Sequence, residues 1–237
     1  MGDASTRLEL HLLDGFELLF EGEAVWVPLS AQRLLAFLAI HDRPLRRVYV
    51  AGKLWPDTTE QRASANLRST LWRAHQWGHQ LIRAANSRLW LVDDLYVDLR
   101  RALARARSLV DGSAERVELN FDILALAGHL LPDWYEDWLL LERERYRQLA
   151  LHALEALAGR LIELGRSGEA AEAAVAAIVS DPLRESAHRS LIRVHLAERN
   201  SSEALRQYRL YRAMLREQLG LAPSDRMEAL VRGLGSG

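Results

Sequence analysis

The chain has 237 residues, of which 49% are hydrophobic and 27% charged, and it contains no cysteine. This composition is that of a soluble globular protein, and the lack of cysteine excludes disulfides, thiol catalysis and cysteine-ligated zinc or iron–sulfur sites. No apolar run reaches the roughly 18 residues that a membrane span needs, and the N-terminus has no signal-peptide pattern. We therefore expect a cytoplasmic protein without membrane contact.

Charge is distributed unevenly along the chain. The net charge is −1, which by itself argues against binding to nucleic acid. Residues 1–30, however, hold one basic and six acidic side chains, whereas residues 31–83 hold nine basic and three acidic ones. Residues 98–237 are close to neutral. Because a phosphate backbone responds to charge within a Debye length of about 8 Å, the basic stretch is a candidate for binding nucleic acid.

Near the N-terminus, polar and apolar side chains alternate between two glycine-containing turns, which predicts a small antiparallel sheet. The predicted strands are Arg7–Leu13, Phe16–Phe20 and Ala24–Leu29, with turns at Asp14-Gly15 and Glu21-Gly22.

Apolar residues at helical spacing then predict three helices. Ser30 is the expected N-cap of the first, and Pro44 follows its end because proline disfavours helix in the preceding residue. Thr58 and Gln61 have the spacing of a capping box at the start of the third helix. The predicted limits are Ser30 to about His41, Val48–Leu54, and Gln61 to Trp77 or His79.

Two short apolar runs, Leu81–Ala84 and Leu89–Val92, flank Asn86-Ser87 and predict a β-hairpin. Three helices followed by a hairpin make a winged helix, in which the third helix reads a DNA groove. The hairpin carries two arginines near its tip, which either enter a minor groove or are simply solvated. These are Arg83 and Arg88. One or two of the arginines bordering the first two helices are expected to touch phosphate, and these are Arg33, Arg43, Arg46 and Arg47.

A helical wheel divides the third predicted helix into two faces. The core face consists of Ala63, Ser64, Leu67, Leu71, Ala74 and Gly78. The outer face consists of Arg62, Ala65, Asn66, Ser69, Trp72, Arg73 and Gln76, with Arg68 on its flank. The outer face has no acid, whereas an ordinary solvated face usually mixes charges of both signs. Arginine can bind guanine and asparagine can bind adenine, while serine and flanking arginines suit phosphates.

The residue types on this outer face favour binding to a DNA groove over the alternative of an ordinary solvent-exposed helix face. The predicted DNA-binding residues are Arg62, Asn66, Arg68, Ser69, Arg73 and, on the hairpin, Arg88. Trp72 is unusual on an outward face, and three roles are open to it: stacking on a sugar, packing on a second protomer, or folding back onto the hairpin. The outward-facing Trp72, together with the surface of the helical second half, also suggests that the protein forms a homodimer on DNA.

From Asp98 onward the pattern is helical almost to the end. Glu169-Ala170 and Glu203-Ala204 recur 34 residues apart, as do Leu157 and Leu191. A period of 34 is that of tetratricopeptide (TPR) helix pairs, each of which buries its apolar face against its neighbours. Asp181-Pro182 stands at the junction of two repeats, where proline is tolerated at a first helical position.

Over nearly its whole length the chain resembles the Streptomyces antibiotic regulatory protein family of transcriptional activators. The matching motifs are Leu34–Leu38, Leu54–Pro56 and Ala65–Arg73 in the first half, and Leu131–Trp134, Trp138, Leu140–Arg145, Asp181–His188, Ala204–Tyr208 and Leu219–Pro223 in the second. The resemblance implies a response-regulator-type winged helix joined to a bacterial transcriptional activation domain, binding at repeated promoter sites, and contact with RNA polymerase. It implies that the turn carrying Trp55, Asp57 and Glu60 contacts polymerase, and that Arg68 and Arg73 are recognition-helix arginines.

The sequence thus predicts a mainly α protein with a small β part, in two domains: a winged-helix DNA-binding domain at 1–97 and an all-α, TPR-like activation domain at 98–237. No catalytic, cofactor or metal site is expected. His75 and His79 have metal-compatible spacing, but Gln76 stands where a zinc protease needs Glu. Trp134, Tyr135 and Trp138 are interpreted as a packing corner and not as a ligand box. The alternative function is a TPR-type protein-interaction scaffold whose winged helix no longer binds DNA.

Overall fold

The computed structural model describes residues 8–75, 81–113 and 123–234. The chain forms two compact units, one made of residues 1–102 and 129–144, the other of residues 103–128 and 145–237. The strands are β1 (Leu8–His11), β2 (Glu17–Phe20), β3 (Glu23–Ala24), β4 (Leu45–Arg46), β5 (Ile82–Ala85), β6 (Arg88–Leu91) and β7 (Tyr96–Val97). The helices are α1 (Leu29–His41), α2 (Arg47–Leu54), α3 (Glu60–His75), α4 (Asp98–Asp111), α5 (Leu124–Ala127), α6 (Asp137–Glu163), α7 (Ser167–Ser180), α8 (Glu185–Ala197), α9 (Ser201–Leu219) and α10 (Asp225–Val231). The predicted fold class, mainly α with a small N-terminal β part, is confirmed.

The N-terminal sheet has the strand order β3-β2-β1-β7. β1 and β2 are antiparallel, with Leu10 opposite Leu18, and both of these side chains are buried. The third strand is Glu23–Ala24 and does not reach the predicted Leu29, which is instead the first residue of α1 with Pro28 as its N-cap. Pro28 could not donate to a strand ladder. β7, which is parallel to β1, is too short to show an alternating pattern and was missed. The predicted strand start at Arg7 lies outside the described residues.

Asp98, the first residue of α4, holds that helix to the end of β1. Its carboxylate accepts hydrogen bonds from the backbone N–H groups of Leu12 at 2.9 Å and Leu13 at 3.0 Å, 86 and 85 residues away in the chain. Burial raises the pKa of Asp98, and these backbone hydrogen bonds oppose that rise because they stabilise the ionised form. The bonds also satisfy N–H groups that would otherwise end the strand unpaired.

The predicted winged helix is present in the first unit, with α1, α2 and α3 followed by the hairpin β5–β6. The hairpin is joined by β4 into a second sheet of order β4-β6-β5. Asn86 and Ser87 have φ values of 49° and 59°, the left-handed conformation that a two-residue hairpin turn requires. Asparagine tolerates this conformation better than most residues, so the Asn-Ser pair was a sound turn signal.

Two helix starts differ from the sequence expectation. The N-cap of α1 is Pro28, and Ser30 lies inside the first turn with its side chain making no cap bond. The side chain that caps α3 is that of Thr59, whose Oγ1 accepts from the N–H of Arg62 at 3.4 Å, whereas the hydroxyl of Thr58 donates to the carbonyl of Trp55. Neighbouring Ser and Thr residues compete for the same role, so spacing alone does not select the cap. The predicted ends of α3 at Trp77 or His79 lie outside the described residues.

The core of the first unit is built on α1, which is apolar nearly all round. Leu34, Leu35, Phe37 and Leu38 are buried. α3 adds its own inner face, which consists of Ala63, Leu67, Thr70 and Ala74. Leu71 and Ser64 are only half-buried, and the burial of Thr70 was not predicted. Gly78, predicted for the same face, lies outside the described residues.

The second unit contains the TPR-like helix pairs. Ala170 and Ala204, 34 residues apart, occupy the first turns of α7 and α9 and are both fully buried. Leu157 and Leu191 are likewise buried at equivalent positions of α6 and α8. Pro182 is not a first helical position: α8 begins at Glu185, and the proline lies in the preceding turn. In the described part of the chain, no helix combines the length and apolarity that crossing a membrane would require.

Candidate nucleic-acid interface

Apart from Ala65 and Trp72, the outer face of α3 is polar. The five predicted DNA-binding side chains of this helix are all exposed, and these are Arg62, Asn66, Arg68, Ser69 and Arg73. Within the described residues, none of the three arginines forms an ion pair. Gln61–His75 contains no acid, so the face presents hydrogen-bond donors without local neutralisation. Gln76, predicted for the same face, lies outside the described residues.

The local sequence explains this orientation. Ala63, Leu67 and Ala74 fall on one side of α3 at spacings of four and seven, and they are buried against the core. The polar residues occupy the intervening positions and must point outward. Thr59 fixes the start of the helix by accepting a backbone hydrogen bond, and Glu60 places an acid in the first turn, which the helix dipole favours.

The hairpin arginines prove to be unlike each other. Arg83 pairs with Trp90 across the strands, and its guanidinium is 3.2 Å from the carboxylate of Asp93. Arg88 follows the turn directly and has no ion pair in the described part of the chain. It borders a groove of about 620 Å³ between α3, the start of α2 and the hairpin turn. The groove is lined by Arg46, Arg47, Val48, Ser64, Leu67, Arg68, Asn86, Ser87 and Arg88.

The arginines bordering the first two helices are now distinguished as well. Arg33 donates to Glu136 and to the carbonyl of Leu54, so its charge is already satisfied within the fold. Arg43 is exposed, whereas Arg46 and Arg47 line the groove beside α3. The sequence contained no signal for this difference, because the partner of Arg33 is about a hundred residues away in the chain.

Trp72 is 64% exposed. It borders a shallow depression together with Arg68, Ser69 and Arg73. Among the described residues it makes no ring contact with the hairpin, so folding back is not observed. Stacking on a sugar and packing on a second protomer stay predictions.

The turn between α2 and α3 lies beside a second groove of about 710 Å³. Trp55 is half-buried there and Asp57 is exposed, and the opposite wall is formed by residues 135–138. Glu60, exposed at the start of α3, is not part of this groove. The groove is lined by aromatic side chains and by charges of both signs. Aromatic residues are enriched at protein-binding surfaces, whereas Lys, Asp and Glu are depleted there.

Of the three aromatic residues Trp134, Tyr135 and Trp138, the two tryptophans pack against other rings of the first unit. Trp134 stacks on Phe16 with ring centroids 6.0 Å apart, and Trp138 packs edge-on against Phe37 at 5.1 Å. Tyr135 is 97% exposed and belongs to the second groove instead.

Within residues 8–75, 81–113 and 123–234, no group of three or more potential metal ligands is found. His75 ends α3, and His79, its metal-compatible neighbour, lies outside the described residues.

The described fold combines a winged helix with stacked helix pairs, which is the combination that the family resemblance implies. Residues 97–234 match the bacterial transcriptional activator domain, which covers more than half of the chain, and the chain belongs to this family. The resemblance to the Streptomyces antibiotic regulatory protein family is thereby confirmed. The family is one of regulators and not of enzymes.

The fold is also similar to that of EmbR from Mycobacterium tuberculosis, whose structure was solved in complex with a low affinity phosphopeptide. The TM-score is 0.68 at 22% sequence identity, over 97% of this chain. This chain spans 65% of the length of the EmbR chain. A search of curated proteins finds no significant match.

Proposed function

We propose that this chain is a sequence-specific DNA-binding activator that recruits RNA polymerase at promoters with repeated sites. The observation that carries the proposal is the exposed, acid-free face of α3, which presents Arg62, Asn66, Arg68, Ser69 and Arg73. Arg and Asn are the side-chain types that bind guanine and adenine edges in a major groove, which suits Arg73 and Asn66 to base contacts, while Ser69 and Arg68 suit the flanking phosphates.

In this proposal residues 1–97 form the DNA-binding domain and residues 98–237 the activation domain, and the protein acts in the cytoplasm, where promoter DNA lies. Polymerase contacts the turn carrying Trp55, Asp57 and Glu60. The second groove supports this assignment, because Trp55 and Asp57 line it and Tyr135 projects from its other wall. Two copies bind adjacent repeats, for which Trp72 is a contact candidate. No cofactor is required.

One observation favours the alternative of an interaction scaffold. The second groove exposes aromatic side chains, among them Tyr135, which is almost fully exposed, and aromatic residues are enriched at protein interfaces. The scaffold alternative, however, does not account for the exposed arginines of α3, which form no ion pair among the described residues. We therefore place partner binding on the second groove and DNA binding on α3.

The test is binding of the full chain to its own upstream intergenic DNA and to a random duplex over a salt series. We expect preference for the upstream duplex, with log K falling by about 0.9 per phosphate contact for each tenfold rise in salt. Failure to bind either duplex at low salt would overturn the proposal in favour of the scaffold.

Arg73→Ala tests the recognition helix directly. If Arg73 reads a base, the variant loses about 1–3 kcal/mol on the specific duplex and little on the random one. Arg193→Ala, which removes an exposed helical arginine from α8 in the second unit, is the matched control and should bind like the wild type. Unchanged affinity of Arg73→Ala would refute the assignment of α3.

A further inference from the structure

Arg46 and Arg88 are held directly opposite each other on neighbouring strands. β4 and β6 are antiparallel, and their register pairs Arg46 with Arg88. The backbone N–H of Arg47 also donates to the carbonyl of Ser87 at 2.9 Å, which fastens the hairpin turn to the start of α2. Side chains directly opposite in a sheet lie on one face with Cβ atoms about 5 Å apart, and like charges in that position destabilise the sheet.

The fold does not relieve this repulsion with an acid. Four arginines line the groove beside α3, and no acidic residue is among its lining residues. In the part of the chain that the structure describes, Arg46, Arg47, Arg68 and Arg88 form no ion pair. Arg83, on the same hairpin, does have one with Asp93. The hairpin therefore neutralises one arginine and leaves the other facing a second cation.

The remaining lining residues indicate which kind of anion fits. Ser64 and Ser87 supply hydroxyls and Asn86 an amide, all of which can donate to a phosphate oxygen. Arginine matches phosphate geometry with two parallel N–H groups, and several arginines around one phosphate form strong charge-assisted hydrogen bonds. Leu67 closes the groove from the core side.

The position of the groove indicates the source of the phosphate. One wall is α3 itself, through Ser64 and Arg68, and the other is the hairpin turn. A DNA strand bordering the major groove that α3 enters would pass between these walls. A phosphate that is bound by both α3 and the hairpin turn would fix the register of α3 on the duplex without contributing to sequence recognition.

We propose that Arg46 and Arg88, supported by Arg47 and Arg68, form a phosphate clamp that binds a single backbone phosphodiester of the DNA. The clamp rests on the proposed DNA-binding function and adds to it a site for one phosphate outside the base-reading residues. It also assigns Arg88 to the backbone and not to a minor groove. In the absence of DNA, the positive charges of Arg46 and Arg88 repel each other, and binding of the phosphate between them offsets this repulsion.

The test compares Arg46→Ala, Arg88→Ala and the double variant with Arg83→Ala, which removes an ion-paired arginine from the same hairpin. Each clamp variant should lose roughly tenfold in affinity, as for one charge-assisted hydrogen bond. The loss should be equal on upstream and random duplexes, and the salt slope should fall by about one unit. Because one phosphate is shared, the double variant should lose less than the product of the single losses. Arg83→Ala should match the wild type.

The clamp would be overturned, while the proposed function stands, if the wild type binds and the clamp variants behave like Arg83→Ala, or if the single losses multiply fully in the double variant. A loss confined to the upstream duplex would show base reading and would also overturn it. The melting temperature of each protein without DNA shows whether the variant is correctly folded. Since the repulsion is removed, Arg88→Ala should melt no lower than the wild type, and a large fall in its melting temperature would contradict the repulsion.

Discussion

Arg33 of α1 forms an ion pair with Glu136, 103 residues later in the chain, with Arg33 Nε 2.7 Å from Glu136 Oε1. The same guanidinium donates to the carbonyl of Leu54 at 2.6 Å, and the indole N–H of Trp138 donates to Glu136 at 2.9 Å. This network joins α1, the end of α2 and the segment before α6. Both charged side chains are less than a quarter exposed, so solvent screens the pair only in part.

Glu136→Ala should therefore destabilise the first unit. It leaves the guanidinium of Arg33 half-buried without its anion, which we expect to lower the free energy of unfolding by about 1–3 kcal/mol. Urea unfolding of the full chain measures this change. Asp93→Asn breaks the exposed Arg83–Asp93 pair, whose side chains are 52% and 81% exposed, and should cost less than about 1 kcal/mol. Equal effects of the two substitutions would contradict the structural role given to Arg33.

The two faces of α3 should separate stability from DNA binding. Leu67→Ala opens a cavity at a fully buried position and should cost about 2–4 kcal/mol of stability. Ser69→Ala changes an exposed hydroxyl two residues away and should alter stability by less than about 0.5 kcal/mol while weakening DNA binding. Thermal melting and DNA titration of both variants provide the comparison. A destabilised Ser69→Ala protein would show that the helix is rotated from the orientation described above.

Trp72 should contribute to binding and not to folding. Because its ring is largely exposed and borders Arg68 and Arg73, Trp72→Ala should leave the melting temperature almost unchanged and reduce DNA affinity. Trp72→Phe keeps an aromatic face and should retain part of that affinity. Sedimentation of the wild type and Trp72→Ala on a two-repeat duplex separates the roles: loss of the second copy alone indicates a protomer contact. A clear fall in the melting temperature of Trp72→Ala would rule out the exposed position.

His188 should make the second unit sensitive to mild acid. Its Nε2 donates to the carbonyl of Pro182 at 2.9 Å, and its Nδ1 accepts from Gln207 at 2.7 Å, which fixes the neutral ring. Burial lowers the pKa of His188 below its ordinary value of 6.5. The unfolded state then binds the proton more readily, so the stability is fully present above about pH 6.5 and declines as the pH falls below it.

This dependence is measured by urea unfolding between pH 7.5 and 5. The wild type should lose stability over that interval more steeply than His188→Gln, which cannot titrate. His152→Gln, an exposed position on α6, should follow the wild-type profile. Parallel profiles for His188→Gln and the wild type would show that another group is responsible.

Features that depend on local periodicity were predictable from the sequence. The three helices and the hairpin turn at Asn86 and Ser87 follow from patterns within a few turns of chain. The 34-residue repeat follows from the self-similarity of the sequence at a fixed period. The outward direction of Arg62 and Arg73 follows from the apolar spacing of Ala63, Leu67 and Ala74 on the same helix.

Features that depend on distant partners were not predictable. Arg33, Arg46 and Arg83 look alike in the sequence, but Glu136 neutralises the first, Asp93 neutralises the third, and a register between two short strands places the second opposite Arg88. The two-residue strands β4 and β7 carry no periodic signal of their own, because their pairing is decided by tertiary contact.

Residues 129–144 complete the first unit, although they lie inside the stretch that matches the activator domain. The backbone of His129 and Leu131 bonds to Asp14 and Leu12, and Glu136 holds Arg33. A gene fusion that joins residues 1–97 to a foreign effector would leave these groups without partners and expose apolar surface from Phe16 and Phe37. Residues 1–97 alone therefore do not make up the first unit, and any replacement of the second unit must retain residues 129–144.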